Sequence, residues 1–451
     1  MSTVRSMCST VTAVWALVVL CSGAAVAAGA EDRTLLIVLD AVPYRTMARL
    51  TAADESGSEP LFADFGPPTP LISTFPSSTS IALAGILGQL GLDRSPGYEA
   101  RFFDWQAKQR RGGGPLSYFK ITFPWREFFD WNRKGPVRNV LHAARPVRAG
   151  VREIRQAIAA FKASRATFFT VYIADTDTAA HLFGPTGLDP ILQAVDHELK
   201  SLGSTRIVLL SDHGLAGGEP LVNVLPAVRQ GIADRGWRWA ERLKREGDVV
   251  LTPYGLVSSF EAYADPALTP ALSGTLAGVE GVEFCIARTG EGWRVAGAES
   301  TLDFERREGD TGLEWRWRAD GAGGGLTTAL AVARASQAGL WVPDAALLAA
   351  TALSDYPDPL YRLAGAFSAV ENPASVVCSV EPGFMFGARG SERSARWAKG
   401  RLRWTHGALG REASLGFLMS NRFASDTPTA VRFDRALDHA LGAEAARTTP
   451  E

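Results

Sequence analysis

The sequence predicts an α/β fold: a three-layer sandwich in which helices cover both faces of a mostly parallel central sheet, plus a small α+β inserted subdomain. Short continuous apolar runs are typical of strands buried on both faces, as in TLLIVLDAV, ATFFTVYIAD and RIVLLSDHG. Between them, apolar residues recur at helical spacing in STSIALAGILGQL, VREIRQAIAAFKAS and PILQAVDHELKSL. This alternation of strands and helices favours a parallel sheet with helices on both sides.

The composition limits the possible partners. The 451 residues are 46% hydrophobic, which is ordinary for a globular protein. There are 47 basic and 48 acidic residues, so the net charge is −1. No overall field attracts the chain to nucleic acid or to an anionic membrane, and no nucleic-acid-binding surface is indicated.

The first thirty residues are typical of a secretory signal peptide. Arg5 precedes the apolar run VTAVWALVVLCSGAAVAA, and small residues lead on to the acidic Glu31 and Asp32. We expect residues 1–30 to be removed, leaving a periplasmic or secreted protein with no stable membrane insertion. The alternative is an uncleaved anchor, because the run approaches membrane-spanning length.

Two cysteines, Cys285 and Cys378, would remain in the mature chain. An oxidising compartment would allow them to form one disulfide. Since the sequence gives no geometry that brings them together, two separate buried thiols are the favoured expectation.

The sequence pattern changes between about residues 247 and 350. Here GDVVLTPYGLVSSFEAYA, LTPALSGTLAGV and GVEFCIARTG predict a strand, a helix and a paired strand, followed by a polar stretch. We interpret this region as an inserted subdomain, or cap, within a core domain that spans residues 31–445. The core pattern returns at ASVVCSVEPGFMFG.

Side chains that commonly bind metals follow four apolar runs. Ligands of an open parallel sheet bind at the carboxyl ends of its strands. A single Asp at such a position would indicate little, but several at the same edge predict a site. In chain order the residues are Asp40, Asp175, Asp177, Asp212, His213 and His406.

Two pairs among them have informative spacing. Asp177 and His181 are four residues apart, so one turn of helix places both on one face; the alternative is a capping Asp and a surface His. Asp212 and His213 converge only if their strand has ended, which Gly214 allows; the alternative is an Asp that caps the next helix. Mixed carboxylate and imidazole ligands suit two zinc ions, or other divalent transition metals, better than calcium or magnesium.

A candidate nucleophile precedes the predicted helix in STFPSSTSIALAGILGQL. The start of a helix offers backbone donors and a positive dipole end to an anion, although simple capping by a hydroxyl is the alternative. Spacing does not choose among the six hydroxyl residues of this segment, which are Ser73, Thr74, Ser77, Ser78, Thr79 and Ser80.

Taken in order, the strand end at Asp40, TFP, DTAAHLFGP, SDHG and THG resemble motifs of the alkaline phosphatase superfamily, most closely its nucleotide pyrophosphatase/phosphodiesterase branch. The resemblance covers roughly residues 33–410. It implies two zinc sites, one formed by Asp177, His181 and His406 and the other by Asp40, Asp212 and His213.

The resemblance also implies a function. Thr74, in TFP, would contact the metal and act as the nucleophile, forming a phosphothreonine intermediate. The protein would then be a hydrolase of small-molecule phosphate esters, with a phosphodiester or pyrophosphate slightly favoured. Alternatives are a phosphomonoesterase of the same fold and a non-catalytic metal-binding or interaction module. A sulfatase is disfavoured, because the mature chain has no Cys-x-Pro-x-Arg stretch.

Two positions depart from the pattern of the branch. Ser77 stands where the branch has an Asn directly after TFP, and a second, phosphate-binding Asn has no clear match. In the corresponding region, GYEARFFDW, Arg101 is the candidate substrate-binding residue, with a surface role as the favoured alternative. Preference for a diester or a monoester therefore stays open.

Overall fold

The computed structural model describes residues 33–53, 59–112, 123–132, 145–310, 312–321, 340–388, 390, 392, 402–423 and 428–442. The predicted signal peptide lies outside these residues. Within them, we find no helix with the length and apolar character needed to cross a bilayer.

The strands, numbered in chain order, are β1 (Thr34–Leu39), β2 (Thr69–Ile72), β3 (Arg101–Asp104), β4 (Gln109–Gly112), β5 (Phe168–Ile173), β6 (Arg206–Leu210), β7 (Ala216–Gly217), β8 (Val222–Asn223), β9 (Arg238–Trp239), β10 (Asp248–Leu251), β11 (Leu256–Val257), β12 (Ser259–Tyr263), β13 (Val282–Arg288), β14 (Trp293–Ala296), β15 (Ser300–Gly309), β16 (Gly312–Gly321), β17 (Val342–Pro343), β18 (Val376–Val380), β19 (Phe384–Gly387), β20 (Trp404–Thr405), β21 (Leu415–Ser420) and β22 (Val431–Arg432). The α-helices are α1 (Tyr44–Thr51), α2 (Thr79–Leu87), α3 (Pro124–Phe128), α4 (Pro146–Ala163), α5 (Asp175–Phe183), α6 (Asp189–Leu199), α7 (Leu225–Asp234), α8 (Thr269–Ala277), α9 (Asp344–Thr351), α10 (Pro359–Gly365), α11 (Arg411–Ser414) and α12 (Ala436–Leu441). Short 3₁₀ turns lie at Gly88–Leu90, Pro185–Leu188, Lys200–Leu202 and Phe433–Arg435.

The central sheet has six strands in the order β22-β2-β21-β6-β1-β5. Strand β1 is parallel to β5 and β6, and β2 is parallel to β22. Strand β21 is antiparallel to both β2 and β6. The predicted α/β class is therefore confirmed. Five of the six strands run in the same direction, as predicted, and β21 enters the middle of the sheet in the opposite direction, which makes it mixed.

Helices cover both faces of this sheet. In β1, Leu35, Ile37 and Leu39 face one way and pack with apolar residues of α4, α5 and α6. The alternate residues Leu36 and Val38 face the other way and pack with α2 and α12. Because alternate side chains of a strand point to opposite faces, β1 is buried on both sides, which accounts for its continuous apolar sequence.

A second sheet of nine strands has the order β17-β16-β15-β14-β13-β18-β12-β10-β9. Its strands come from Arg238 to Val380, a longer stretch than the predicted insertion at about 247–350. Strand β18, which the sequence pattern assigned to the returning core, instead lies between β12 and β13. All five residues of β18 are buried, so its apolar pattern fits the interior of either sheet equally well.

Cys285 and Cys378 form a disulfide, so the expectation of separate thiols was wrong. Cys285 on β13 and Cys378 on β18 are directly opposite each other in the antiparallel register, with Cα atoms 4.0 Å apart. The sequence could not show this because their 93-residue separation is closed by pairing between distant strands.

We expect Arg432→Met to destabilise the fold by about 3–5 kcal/mol, because it would leave buried carboxylates without their cation. Arg432 is largely buried and donates to Asp358 from Nε at 2.6 Å and to Asp344 from Nη2 at 2.9 Å. Urea unfolding of the variant measures the effect.

Arg294→Met is the matched control, since Arg294 also pairs with a carboxylate but is 54% exposed. Its loss should cost less than about 1 kcal/mol. Equal effects of the two substitutions would contradict the structural role assigned to Arg432.

Candidate metal centre

Two groups of potential ligands lie beyond the carboxyl ends of the central strands. The first, called the Asp40 group, follows β1 and β6 and consists of Asp40, Asp212 and His213. The second, called the Asp177 group, combines two residues of α5, which follows β5, with one residue after β20, and consists of Asp177, His181 and His406. In each group the candidate ligand atoms lie within 4.8 Å of one another. The structure thus brings the six Asp and His residues of the predicted metal sites together in two groups of three, and Thr74 belongs to neither.

The Asp40 group is buried. Nε2 of His213 lies 3.5 Å from Oδ1 of Asp40 and 3.4 Å from Oδ2 of Asp212. The other oxygen of each carboxylate is engaged: Oδ2 of Asp40 accepts a hydrogen bond from the Tyr172 hydroxyl, and Oδ1 of Asp212 accepts one from the amide of Ala41. Oδ2 of Asp212 is buried without a hydrogen-bond partner. An unsatisfied buried carboxylate oxygen beside an imidazole nitrogen suits a bound cation.

The Asp177 group is more open to solvent. Oδ1 of Asp177 lies 3.2 Å from Nε2 of His181 and 3.8 Å from Nε2 of His406. The side chains of Asp177 and His181 are 28% and 17% exposed, whereas that of His213 is fully buried. Solvent and small molecules therefore reach the centre from the side of the Asp177 group.

The two groups are immediate neighbours. The rings of His213 and His406, one from each group, stack with centroids 3.9 Å apart. The rings of His181 and His406 lie 5.2 Å apart. One small ligand can therefore contact both groups at once.

Backbone carbonyls orient all three imidazoles. Nδ1–H donates to Trp404 O at 2.8 Å in His181, to Gly214 O at 3.0 Å in His213 and to Ser77 O at 2.9 Å in His406. This arrangement places the proton on Nδ1 and leaves Nε2 with a lone pair directed at the carboxylates. A hydrogen bond from the other ring nitrogen to a carbonyl commonly fixes the ring of a metal-binding histidine.

The turn after Asp212 and His213 needs glycine at position 214, because the chain packs there against the backbone of another segment. A Cβ atom at this position would lie 2.2 Å from the carbonyl oxygen of Glu412. The amide of Gly214 donates to the carbonyl of Ala413 in the same segment. The chain therefore leaves β6 packed against α11, and this close approach lies next to Asp212 and His213, just after the end of the strand.

The structure places Thr79, not Thr74, against the ligands. The Thr79 hydroxyl donates to Oδ1 of Asp40 at 3.3 Å and lies 3.3 Å from Nε2 of His213. The Thr74 hydroxyl instead donates to the carbonyl of Pro76 at 2.8 Å. Helix α2 begins at Thr79, after the extended residue Ser78, so TFPSS forms the loop before the helix. Thr79 was among the six candidate hydroxyls, and the choice of Thr74 as nucleophile stays a prediction.

Arg362 supports the centre, and sequence reasoning missed it. Its buried guanidinium donates from Nη2 to the carbonyl of Thr74 at 3.0 Å and from Nη1 to the carbonyl of Leu409 at 2.8 Å. It thereby joins the loop before α2 to the loop that follows His406. No local sequence signal distinguishes this arginine from a surface one, because its partners are 47 and 288 residues away.

Arg101, the predicted substrate-binding residue, makes a different contact. Nη1 donates to the carbonyl of Pro253 at 2.7 Å, and burial together with Arg110 lowers the pKa of its guanidinium. This bond joins β3 to the loop after β10. Substrate binding by Arg101 stays a prediction.

The charges of the centre favour a bound cation. Burial raises the pKa of Asp212 to about 6, and burial together with Asp212 and Asp177 raises that of Asp40 well above its usual range. Burial and neighbouring groups lower the pKa of His213 to about 4 and of His406 to about 3, which keeps both imidazoles neutral near pH 7. These two neutral imidazoles do not compensate Asp40 and Asp212, whereas a divalent cation does. In spite of burial, the pair of Asp177 with His181 lowers the pKa of the carboxyl and raises that of the imidazole, so Asp177 is compensated in part. The residues present therefore fit a metal centre.

Comparisons with known proteins give matches in structure alone. No family model and no curated protein matches the chain. The chain is similar to phosphonoacetate hydrolase from Sinorhizobium meliloti 1021 (12% identity, TM-score 0.45, covering 92% of this chain and 96% of that one). It is also similar to ectonucleotide pyrophosphatase/phosphodiesterase 5 from mouse (12%, 0.46, 93% and 96%) and from human (11%, 0.47, 93% and 96%). The latter two carry the name of the branch that the motifs resemble. Because all three TM-scores are below 0.5, the functional proposal rests on the side chains.

We expect the affinity for Zn²⁺ to rise with pH through about 6. The raised pKa of Asp212 means that its carboxyl holds a proton below that pH, and the proton must leave before a cation binds. Calorimetry in buffers of different ionisation enthalpy should show more protons released per ion about one pH unit below this value than about one unit above it. Affinity and proton release that do not change with pH would contradict the assignment of Asp212 as a ligand.

Proposed function

We propose that the chain is a metal-dependent hydrolase of phosphate esters with two zinc ions, one in the Asp40 group and one in the Asp177 group. The observation that carries the proposal is the Thr79 hydroxyl, which lies 3.3 Å from both Oδ1 of Asp40 and Nε2 of His213 at the start of α2. A hydroxyl held against one ligand group and next to another is the arrangement that a two-metal phosphoryl transfer requires.

Thr79 acts as the nucleophile in this proposal. Bound zinc would lower the pKa of a nearby hydroxyl and neutralise charge on the phosphate oxygens. The Thr79 oxygen bonds to phosphorus while the bond to the leaving oxygen breaks, which gives a phosphothreonine intermediate. Water then attacks phosphorus on the opposite side and restores the hydroxyl. The first turn of α2 has no side-chain cap, so its backbone N–H groups are available to the phosphate.

Charge favours a phosphodiester over a phosphomonoester. Two divalent ions and the carboxylates of Asp40, Asp177 and Asp212 leave one net positive charge, which matches a singly charged phosphodiester. A monoester dianion needs a further cation at the site. Arg101, the arginine that the sequence offers nearby, is directed at the carbonyl of Pro253. Phosphomonoesterase activity is the second candidate.

We also propose that the protein works in the periplasm or outside the cell, after removal of residues 1–30. The disulfide between Cys285 and Cys378 supports this location, because such bonds persist in oxidising compartments.

Thr79→Ala should lower kcat by at least about 1000-fold, because the attacking oxygen is removed. Turnover of bis-p-nitrophenyl phosphate by the zinc-loaded protein measures this loss. Thr74→Ala is the matched control: it removes a hydroxyl from the same loop and should keep activity within about threefold, at a stability cost of about 1 kcal/mol. The opposite outcome, in which Thr74→Ala abolishes turnover, would support Thr74, which the TFP motif suggests as the nucleophile. Full activity of both variants would exclude a threonine nucleophile at either position.

Chelation should abolish turnover, and added Zn²⁺ should restore it. Metal analysis of the purified protein should find two ions per chain, and bis-p-nitrophenyl phosphate should be preferred to p-nitrophenyl phosphate. A preference for the monoester would support the second candidate function. Two bound ions with no turnover of either substrate would support a non-catalytic metal-binding module.

A further inference from the structure

Tyr172 contacts a carboxylate of the metal centre, although it belongs to neither ligand group. Its hydroxyl donates a hydrogen bond to Oδ2 of Asp40. The other oxygen of this carboxylate, Oδ1, lies 3.3 Å from the Thr79 hydroxyl and 3.5 Å from Nε2 of His213. Tyr172 therefore engages one oxygen of Asp40, while the other is directed at the proposed nucleophile and at an imidazole of the same group.

The fold holds the Tyr172 side chain in this place. Strand β5 is parallel to β1, with Tyr172 opposite Val38, and both side chains lie on the face of the sheet that α2 covers. The ring centroids of Trp125 and Phe129 lie 4.9 and 5.5 Å from that of Tyr172. Because Tyr172 is only 5% exposed and packs against these two rings, its hydroxyl has little freedom to move away from Asp40.

The backbone of Asp40 is fixed by the same strand. Its amide donates to the carbonyl of Ile173, the residue after Tyr172, at 3.2 Å. Strand β5 thus holds Asp40 at two points, the backbone and the carboxylate. A rotation that exchanges the two carboxylate oxygens has to break the hydrogen bond from Tyr172.

The neighbouring carboxylate of Asp212 is restrained in a similar way, but by the backbone. Its Oδ1 accepts hydrogen bonds from the amides of Ala41 at 3.2 Å and of His213 at 3.1 Å. The remaining oxygens, Oδ1 of Asp40 and Oδ2 of Asp212, lie 3.5 and 3.4 Å from Nε2 of His213. Three atoms with lone pairs therefore converge, and one of them is oriented by a side-chain hydroxyl that a single substitution can remove.

We propose that Tyr172 is a positioning residue for the metal ion of the Asp40 group. The inference rests on the proposed function, which assigns zinc to this group. By engaging Oδ2, the hydroxyl keeps Asp40 a ligand through Oδ1 alone and directs that oxygen to the place where the Asp212 and His213 atoms converge. Hydrogen bonds to a ligating carboxylate orient it and tune the metal. Tyr172 thus sets the affinity and the ligand number of one of the two sites.

The test is zinc binding by Tyr172→Phe, which keeps the ring and its packing and removes only the hydroxyl. Titration with Zn²⁺ against a competing chelator should show that one site loses about 10- to 100-fold in affinity, because Asp40 is no longer held in its orientation, and that the other site is unchanged. X-ray absorption at the zinc edge should show a higher average number of oxygen ligands, because the freed Oδ2 can bind together with Oδ1.

Two further backgrounds identify the weakened site. In Asp40→Ala the Asp177 group keeps all its ligands, and adding Tyr172→Phe should not change its affinity for zinc. In Asp177→Ala the Asp40 group is complete, and adding Tyr172→Phe should again weaken binding. The effect of the hydroxyl should therefore require Asp40, which is the coupling that a double-mutant cycle measures.

Tyr356→Phe is the matched control. The Tyr356 hydroxyl also donates to a carboxylate, Oε1 of Glu283 on β13 of the second sheet. The variant removes the same kind of hydrogen bond away from the metal centre, so the affinities of both zinc sites and the number of oxygen ligands should stay unchanged.

Equal weakening of both sites by Tyr172→Phe, unchanged affinity at both, or an effect that persists in Asp40→Ala would overturn the proposal. The same weakening in Tyr356→Phe would also overturn it, because the effect would then not be specific to Asp40. Failure of the unaltered protein to bind two zinc ions would instead remove the proposed function itself, so the two failures are distinguishable.

Discussion

Crowding of carboxylates is the constraint that governs the arrangement of the centre. At one edge of the central sheet, the structure holds three buried or half-buried carboxylates close together, those of Asp40, Asp177 and Asp212. Carboxylates in such a place repel one another, and burial makes the repulsion stronger. Burial keeps the imidazoles of His213 and His406 neutral, so they do not relieve this repulsion, and His181, whose pKa is raised by Asp177 in spite of burial, compensates Asp177 alone. A cation relieves the repulsion. The backbone carbonyls that accept from each Nδ1 and the close packing at Gly214 keep the ligands oriented toward such an ion.

Both sheets contribute to the position of His406. Its Nδ1 is held from the central-sheet side by the carbonyl of Ser77, which lies in the loop before α2. Its backbone carbonyl is held by the amide and hydroxyl of Ser258, at 2.7 and 3.0 Å, immediately before β12 of the second sheet. Arg362 on α10 joins the loop before α2 to the loop that follows His406. The second sheet is therefore part of the framework of the site.

The sequence predicted the fold class and the two groups of Asp and His residues, because residues that follow parallel strands ending together lie together. What it could not give depends on contacts between distant segments. The TFP motif pointed to Thr74, whereas the start of α2 five residues later decides which hydroxyl faces Asp40. The pairing of Cys285 with Cys378 depends on strand register, and the reversed direction of β21 depends on sheet assembly. The assignment of Arg362 needs tertiary contacts that no local pattern encodes.

Anomalous diffraction at the zinc edge, from crystals grown with Zn²⁺, tests the central claim most directly. We expect two peaks. One should lie about 2.0–2.2 Å from ligand atoms of Asp40, Asp212 and His213, with the Thr79 oxygen facing it, and the other at the same distance from Asp177, His181 and His406. A map without a peak in either group, or with a peak facing Thr74 instead of Thr79, would contradict it.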